Sequence, residues 1–179
     1  KLAADEITAA ENWGGHNVEI IYQDNRSDKQ EAISLITRMA QSENADIIIG
    51  PIATSEAMAT GPVAVDLKIP MFTTATSPAV LEAGPYIFKS TETADAYMAP
   101  VGEHIVGLSP DNCFLVSIRD NEGYIRQRDV IRDILTDAGV EVVGDESILA
   151  ADTDFTALST KIVSTEPDCL FVTAPPEQA

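Results

Sequence analysis

Short apolar runs alternate with amphipathic stretches along nearly the whole chain. Apolar segments such as Cys113–Ile118 and Cys169–Thr173 are separated by about 10–15 residues whose apolar side chains recur at helical spacing. Strands that alternate with helices in this way form βαβ units, because parallel strands need a long crossover connection. The pattern therefore predicts an α/β fold with parallel sheets.

The individual elements follow from the same pattern and from turn-forming residues between them. The predicted strands, in chain order, are Val18–Tyr22, Asp46–Ile49, Met71–Thr73, Tyr86–Lys89, Cys113–Ile118, Val140–Ser147 and Cys169–Thr173. Helices are expected at about 2–12, 28–40, 55–67, 94–106, 122–138 and 155–163. Two capping boxes fit the start of the second helix, one at Ser27 and Gln30 and the other at Asp28 and Glu31. Pro62 predicts a kink or an early break in the third helix.

A turn-rich segment, "GLSPDN" at 107–112, divides the alternating pattern into two runs. We interpret residues 1–108 as an N-terminal lobe and residues 109–179 as the first part of a second lobe of the same design. The first residues have the pattern of a helix interior, so the chain is expected to start after its natural beginning. The end follows a strand by one loop, so a continuation is expected as well.

The charge of the chain limits its partners. The 29 acidic residues outnumber the 11 basic ones, which gives a formal net charge of −18. Such a surface repels nucleic acid and anionic lipid. No apolar run approaches the roughly 20 residues that span a bilayer, and no signal peptide is recognisable.

Hydroxyl side chains follow two neighbouring strands of the first predicted lobe. Thr54 and Ser55 come after the strand that ends at Ile49, and Thr74, Thr76 and Ser77 come after the next strand. Open α/β sheets bind ligands at the carboxyl ends of their strands, and a helix start favours an anionic group. The sequence therefore predicts a recognition site here, with exposed amides around Ala75 as further donors. The alternatives are a simple helix cap at Thr54 or Ser55 and a hydroxyl-rich turn.

Residues suited to catalysis or metal binding are sparse. His16 and His104 have no partnering nucleophile in a strand-end loop, and no nucleotide-binding, metal-binding or serine-hydrolase motif occurs. We therefore expect no enzymatic activity, no metal and no cofactor. Cys113 and Cys169 both fall in predicted strands, where buried free thiols and a disulfide are both open.

Several segments together resemble a known family. They are "IIIGPIATSEAMATGPVA", "IPMFTTATSPAVLEAGPYIFKSTETADAYMAP" and "DTDFTALSTKIVSTEPDCLFVTAPPEQA". In order and spacing they are similar to type I periplasmic solute-binding proteins, in the branch of the leucine/isoleucine/valine-binding proteins of ABC importers. The resemblance implies two Rossmann-like lobes with parallel sheets in three α/β/α layers around a cleft, of which this chain is an incomplete part.

The resemblance also implies a function. It indicates a non-enzymatic, extracytoplasmic solute-binding protein that delivers a small polar ligand to the membrane permease of an ABC importer. A branched-chain or other amino acid is favoured, or else an amide or carboxylate. The location would be periplasmic or extracellular, with a lipid anchor as an option. The alternative is a ligand-sensing domain of a receptor or regulator with the same fold.

The resemblance assigns roles to particular positions in the two lobes. The ligand carboxylate would be held by the loops at Thr54–Ser55 and Ala75–Thr76, with hydroxyls from Thr54 and Thr76 and backbone groups from Ala75. Thr74, predicted from the hydroxyl cluster, lies next to the second of these loops. In the second lobe Tyr124 lies close to the position of an aromatic ligand contact. The family loop places a glycine after its aromatic residue, whereas Gly123 precedes the tyrosine here.

Overall fold

Two parallel three-stranded sheets organise residues 1–175, which are the residues described by this computed structural model. The strands of the first sheet lie in the order β1 (Ile48–Ile49), β2 (Met71–Thr73) and β3 (Ile87–Lys89). In the second sheet the central strand β4 (Asn112–Ile118) lies between β5 (Glu141–Ile148) and β6 (Cys169–Thr173). All four strand pairs are parallel, which confirms the predicted α/β fold.

Helices connect the strands at nearly the predicted positions. They are α1 (Leu2–Ala9), α2 (Lys29–Gln41), α3 (Thr54–Asp66), α4 (Ala94–Gly107), α5 (Glu122–Asp137) and α6 (Thr156–Thr165), with a 3-10 helix at Pro78–Ala83. Of the two predicted capping residues, Asp28 is the N-cap of α2, since its carboxylate accepts a hydrogen bond from the Glu31 N–H at 2.7 Å. The Ser27 alternative was wrong, because Ser27 precedes the N-cap. Helix α3 continues through Pro62 without a break. None of the described helices is long and apolar enough to cross a bilayer.

The first sheet is covered on one face only within the described residues. On that face Ile48, Met71 and Ile87 are register partners and form a buried core with apolar residues of α2 and α3. On the opposite face Phe72 and Phe88 stack with ring centroids 4.9 Å apart, yet they remain 38% and 43% exposed. Helices α2 and α3 therefore pack on the same side of this sheet.

The second sheet is covered on both faces. Successive side chains of β4 point to opposite sides, as a strand requires. Leu115 packs in a cluster with α5 and with Met98 of α4, whereas Phe114 packs in a second cluster with Leu158 of α6. This half thus has the expected three α/β/α layers.

One predicted strand does not form. Val18–Tyr22 is extended in character but pairs with no other strand within residues 1–175. Its apolar side chains are 37–51% exposed. The prediction of a strand here was wrong for this structure, because apolar β-branched residues form a strand only when a neighbouring edge supplies hydrogen bonds.

The expected division of the chain into 1–108 and 109–179 stays a prediction, and residues 176–179 lie outside the described part. The packing of α4 bears on it. Met98 and Ile105 of α4 pack in the core of the second sheet, although they precede residue 108. The helix therefore belongs to the second sheet by its contacts.

A disulfide joins the neighbouring strands β4 and β6 near the start of each. Cys113 and Cys169 are register partners in these strands, with Cα atoms 4.4 Å apart. The sequence left free thiols and a disulfide open, and the structure has the disulfide. The bond links residues 56 positions apart, so it ties the end of this βαβαβ segment to its start.

Loss of this disulfide is expected to destabilise the second half of the chain. A cross-link over a loop of this length typically contributes about 2–4 kcal/mol, largely by restricting the unfolded chain. Urea unfolding of the oxidised protein should therefore have a higher midpoint than unfolding under reductant. The double variant Cys113→Ala/Cys169→Ala is the control, and its midpoint should not respond to reductant. A wild-type midpoint that is equally insensitive would contradict the bond.

Candidate functional site

The hydroxyl of Thr54 joins the start of α3 to the loop that follows β2. Thr54 is 3% exposed, and its Oγ1 accepts hydrogen bonds from the N–H groups of Thr76 at 3.1 Å and Ser77 at 3.5 Å. The N-cap of α3 is Ala53, which has no side chain able to cap the helix. The interpretation of Thr54 as a simple helix cap is therefore wrong, since its hydroxyl serves the neighbouring loop.

A second threonine fixes the same pair of loops in the reverse direction. Thr73 Oγ1 donates to the carbonyl of Pro51 at 2.6 Å and accepts from the Ala75 N–H at 3.0 Å. The hydroxyl oxygens of Thr54 and Thr76 lie 3.5 Å apart, and we call them the hydroxyl pair. The structure thus brings together the two threonines that the sequence predicted to share a site.

A lysine at the end of β3 adds a positive charge beside this loop. Lys89 Nζ donates a hydrogen bond to the carbonyl of Ala75, and Thr91 Oγ1 donates to the carbonyl of Thr74 at 3.1 Å. Burial lowers the pKa of Lys89, and the nearby carboxylate of Glu92 opposes that shift. Lys89 is not among the residues predicted for the site, although a charged residue directly at the end of an apolar strand is a usable signal.

The electrostatic character of the loop region is mixed, with positive groups closest to the loop. The first turn of α3 has no side-chain cap, so its N–H groups present the positive end of the helix dipole. Lys89 adds a full charge. Glu56 lies in the first turn of α3 at 5% exposure, and its carboxylate offsets part of this field. An anionic group is favoured only close to the loop itself.

The remaining predicted residues differ in their access to solvent. Ser55 is 9% exposed at the start of α3, and Thr74 is exposed on the loop. Ala75 is fully buried, and both its N–H and its carbonyl are bonded within the protein. The N–H groups of Ala75 and Thr76, expected to be exposed donors, are therefore already used in this conformation, because the hydroxyls of Thr73 and Thr54 accept hydrogen bonds from them.

Two tyrosines from α4 and α5 lie near the hydroxyl pair. The Tyr97 side chain hydrogen-bonds with Thr76 and interacts electrostatically with Tyr124. Burial raises the pKa of Tyr97, whereas the hydrogen bond with Thr76 lowers it. The sequence indicated Tyr124 but not Tyr97, because an aromatic residue one turn into a helix carries no local sign of a site.

The first turn of α5 lies directly over the hydroxyl pair. Helix α5 is capped by Asn121, whose Oδ1 accepts from the Gly123 N–H at 2.9 Å. A Cβ built on Gly123 would lie 2.8 Å from Thr54 Oγ1 and 2.9 Å from Thr76 Oγ1. Helix α5, which packs on the second sheet, thus places its backbone against the hydroxyl pair formed by the two loops of the first sheet.

An ion pair holds α4 against α5 beside this contact. Arg126 Nε donates to Asp95 Oδ2 at 3.1 Å, and a second guanidinium nitrogen bonds the other carboxylate oxygen. The hydrogen bond from Arg126 lowers the pKa of Asp95. Elsewhere in the described part of the chain, no group of three or more His, Cys, Asp or Glu side chains is placed to hold a metal ion.

The comparison with known proteins identifies the family of the chain. The sequence model of the periplasmic binding proteins matches the chain over residues 1–179. The chain belongs to the periplasmic binding protein family. Its position in that family agrees with the resemblance noted from its strand-end loops.

Three relatives illustrate how this periplasmic binding protein compares with others. An amino acid binding protein of Pseudomonas aeruginosa is 25% identical over 172 residues, which is 94% of this chain and 46% of that protein. A second relative is the branched-chain amino acid transporter substrate binding protein LivJ of Streptococcus pneumoniae, solved with isoleucine. It is 25% identical with a TM-score of 0.86, and the match covers 96% of this chain and 49% of LivJ. A third relative is an ABC transporter solute binding protein of R. palustris, solved with 4-hydroxybenzoate. It is 25% identical with a TM-score of 0.86, and the match covers 94% of this chain and 46% of that protein. The chain spans about half the length of these relatives.

Removing the Thr54 hydroxyl is expected to destabilise the site. Thr54→Ala would leave two loop N–H groups without their acceptor, which typically costs about 1–3 kcal/mol for a buried group. Thr54→Ser keeps the acceptor and is the matched control. Urea unfolding measures both variants, and equal losses in the two would show that the hydroxyl does not hold the loop.

Acid is expected to weaken the contact between α4 and α5 through Asp95. Its pKa in the folded protein lies below the ordinary value of 3.8, so the stabilisation is fully present above that pH and is lost as pH falls through the lower folded value. Because Asp95 and Arg126 are 44% and 39% exposed, the contribution should be less than about 1 kcal/mol. Unfolding of wild type and Asp95→Asn across acidic pH measures it. Parallel curves for the two proteins would contradict the assignment.

Proposed function

We propose that this chain is part of an extracytoplasmic solute-binding protein of an ABC importer, and that it binds a small ligand through the ligand's carboxylate. The observation that carries the proposal is the hydroxyl pair. It lies at the start of α3, which has no side-chain cap, and in the loop after β2, to which Lys89 donates a hydrogen bond. An amino acid is the favoured ligand, and another small carboxylate is the next. The protein would be non-catalytic.

The ligands of two relatives support the carboxylate as the recognised group. One relative was solved with isoleucine and the other with 4-hydroxybenzoate. These molecules share a carboxylate and differ in nearly every other respect. A fold that binds both molecules would use shared hydrogen-bond donors for the carboxylate and different residues for the rest of each ligand.

The local geometry supports the same group. Two hydroxyls 3.5 Å apart can each donate to a carboxylate oxygen, since hydroxyl hydrogens rotate to suit their partner. Hydrogen bonds to a charged acceptor are about twice as strong as neutral ones. The N–H groups at the start of α3 and the ammonium of Lys89 would stabilise the same negative charge.

Binding at the hydroxyl pair requires a different position of α5. In the present conformation Gly123 covers the pair so closely that no carboxylate fits between them. The first turn of α5 would therefore move away from the loops before a ligand enters. If the open form is a minor fraction of the molecules, the apparent affinity is reduced by that fraction.

The partner and the location follow from the proposed function. A solute-binding protein of this family would deliver its ligand to a membrane permease from the periplasm or the extracellular space. Nucleic acid is not an expected partner, because the net charge of −18 repels phosphate.

The ligand class is tested by thermal shift and calorimetry on the full chain with L-leucine, L-isoleucine and 4-hydroxybenzoate. L-leucinamide and 4-hydroxybenzamide are the matched controls, because they keep the shape and lack the carboxylate. We expect at least one carboxylate to raise the melting temperature and its amide to have a much smaller effect. Equal effects of acid and amide would refute carboxylate recognition, and no effect of any acid would refute this ligand class.

The Thr76 hydroxyl is expected to contribute directly to affinity. Thr76→Ala should weaken binding of the best carboxylate by tenfold or more, since a hydrogen bond to a charged group is worth about 1.5–3 kcal/mol. Thr76→Ser retains the hydroxyl and should bind within about threefold of wild type. Unchanged affinity of the alanine variant in calorimetry would remove Thr76 from the site.

A further inference from the structure

Gly123, in the first turn of α5, lies directly against the hydroxyl pair. A Cβ at this position would approach Thr54 Oγ1 to 2.8 Å and Thr76 Oγ1 to 2.9 Å. Contacts this close essentially never occur for real Cβ atoms, so a side chain at 123 would require either α5 or the two threonine side chains to shift. The glycine is therefore a steric requirement of the observed arrangement.

The backbone of Gly123 gives no separate reason for a glycine. The residue lies in the first turn of α5 with helical geometry, where alanine is intrinsically the better helix former. Its N–H is bonded to the Asn121 side chain, which alanine would also permit. Only the space above the hydroxyl pair distinguishes glycine from alanine at this position.

We propose that Gly123 is a specificity-determining residue of the site, because its missing side chain sets how closely α5 can approach the hydroxyl pair and the ligand held there. This inference rests on the proposed function. A carboxylate bound to Thr54 and Thr76 would face position 123 from the α5 side, so a methyl group there takes up space next to the bound group. The residue acts by its size and not by a polar contact.

The chain offers a matched control for this idea. Gly107 is also a helical glycine, at the end of α4, and a Cβ added there would meet nothing within 4 Å. Gly107→Ala therefore changes the same chemistry without the steric consequence. If Gly123 were only a helix-start residue, both alanine variants would be neutral or more stable than wild type.

The test combines ligand affinity with stability on the full chain. In calorimetry with the acids named above, Gly123→Ala should change the ratio of the affinities for the two best-bound acids by about tenfold, and Gly107→Ala should leave that ratio within about twofold of wild type. A shift of α5 that only opens the site would change both affinities equally and leave their ratio unchanged. In urea unfolding without ligand, Gly123→Ala should lower the midpoint. Adding Thr76→Ala should restore part of that loss, because it removes one of the two oxygens that meet the new methyl group.

The outcomes separate this inference from the proposed function. If wild type binds the acids and Thr76→Ala weakens them while Gly123→Ala leaves the ratio of their affinities unchanged, the role of Gly123 as a specificity residue is refuted and the proposed function stands. If no acid binds, the proposed function fails, and Gly123 is judged by the unfolding measurements alone. Additive effects of the Gly123 and Thr76 variants, or a midpoint for Gly123→Ala at or above wild type, would overturn the contact.

Discussion

The arrangement of the site depends on one buried hydroxyl, that of Thr54. It accepts hydrogen bonds from two N–H groups of the loop after β2, and it does so from the first residue of α3. Without this acceptor the loop would have buried donors with no partner, which proteins rarely tolerate. Thr73 completes the connection by donating back to Pro51. Two consecutive strand ends are thereby fixed to each other through side chains, beyond the backbone hydrogen bond from the Gly50 N–H to the Phe72 carbonyl.

Helix α4 extends this constraint to the second sheet. Its Met98 packs in the core of the second sheet, its Tyr97 bonds with Thr76, and its Asp95 pairs with Arg126 of α5. One helix thus contacts the hydroxyl pair and also holds the helix that covers the pair. The position of Gly123 over the loops depends on this packing as much as on α5 itself.

The sequence predicted those parts of the structure that depend on local patterns. Apolar runs gave the strands of both sheets, Asp28 gave a helix cap, and the rule that parallel strands end together gave the pairing of Thr54 with Thr76. Val18–Tyr22 was mispredicted, because a strand needs a neighbour that no local pattern reveals. Nor could the sequence show that Thr73 and Lys89 would occupy the backbone groups of the Ala75 loop.

The other missed residues depend on packing between distant segments. Tyr97 and Gly123 reach the hydroxyl pair only because α4 and α5 pack together and cross over the first sheet's loops. Their roles follow from distances between residues that lie far apart in the chain. A glycine at a helix start does not by itself indicate a site. The role of Gly123 follows from its closeness to the hydroxyl oxygens of Thr54 and Thr76.

The charge of the whole chain also bears on the ligand of the proposed site. A net charge of −18 repels anions at long range, but salt screens this repulsion beyond roughly 8–10 Å. The start of α3 and Lys89 act within that distance, so they can favour a carboxylate once it has arrived. A zwitterionic amino acid has no net charge and meets no long-range repulsion, whereas an aromatic acid does. The acidic surface therefore favours an amino acid over a net anion, although both carry the same carboxylate.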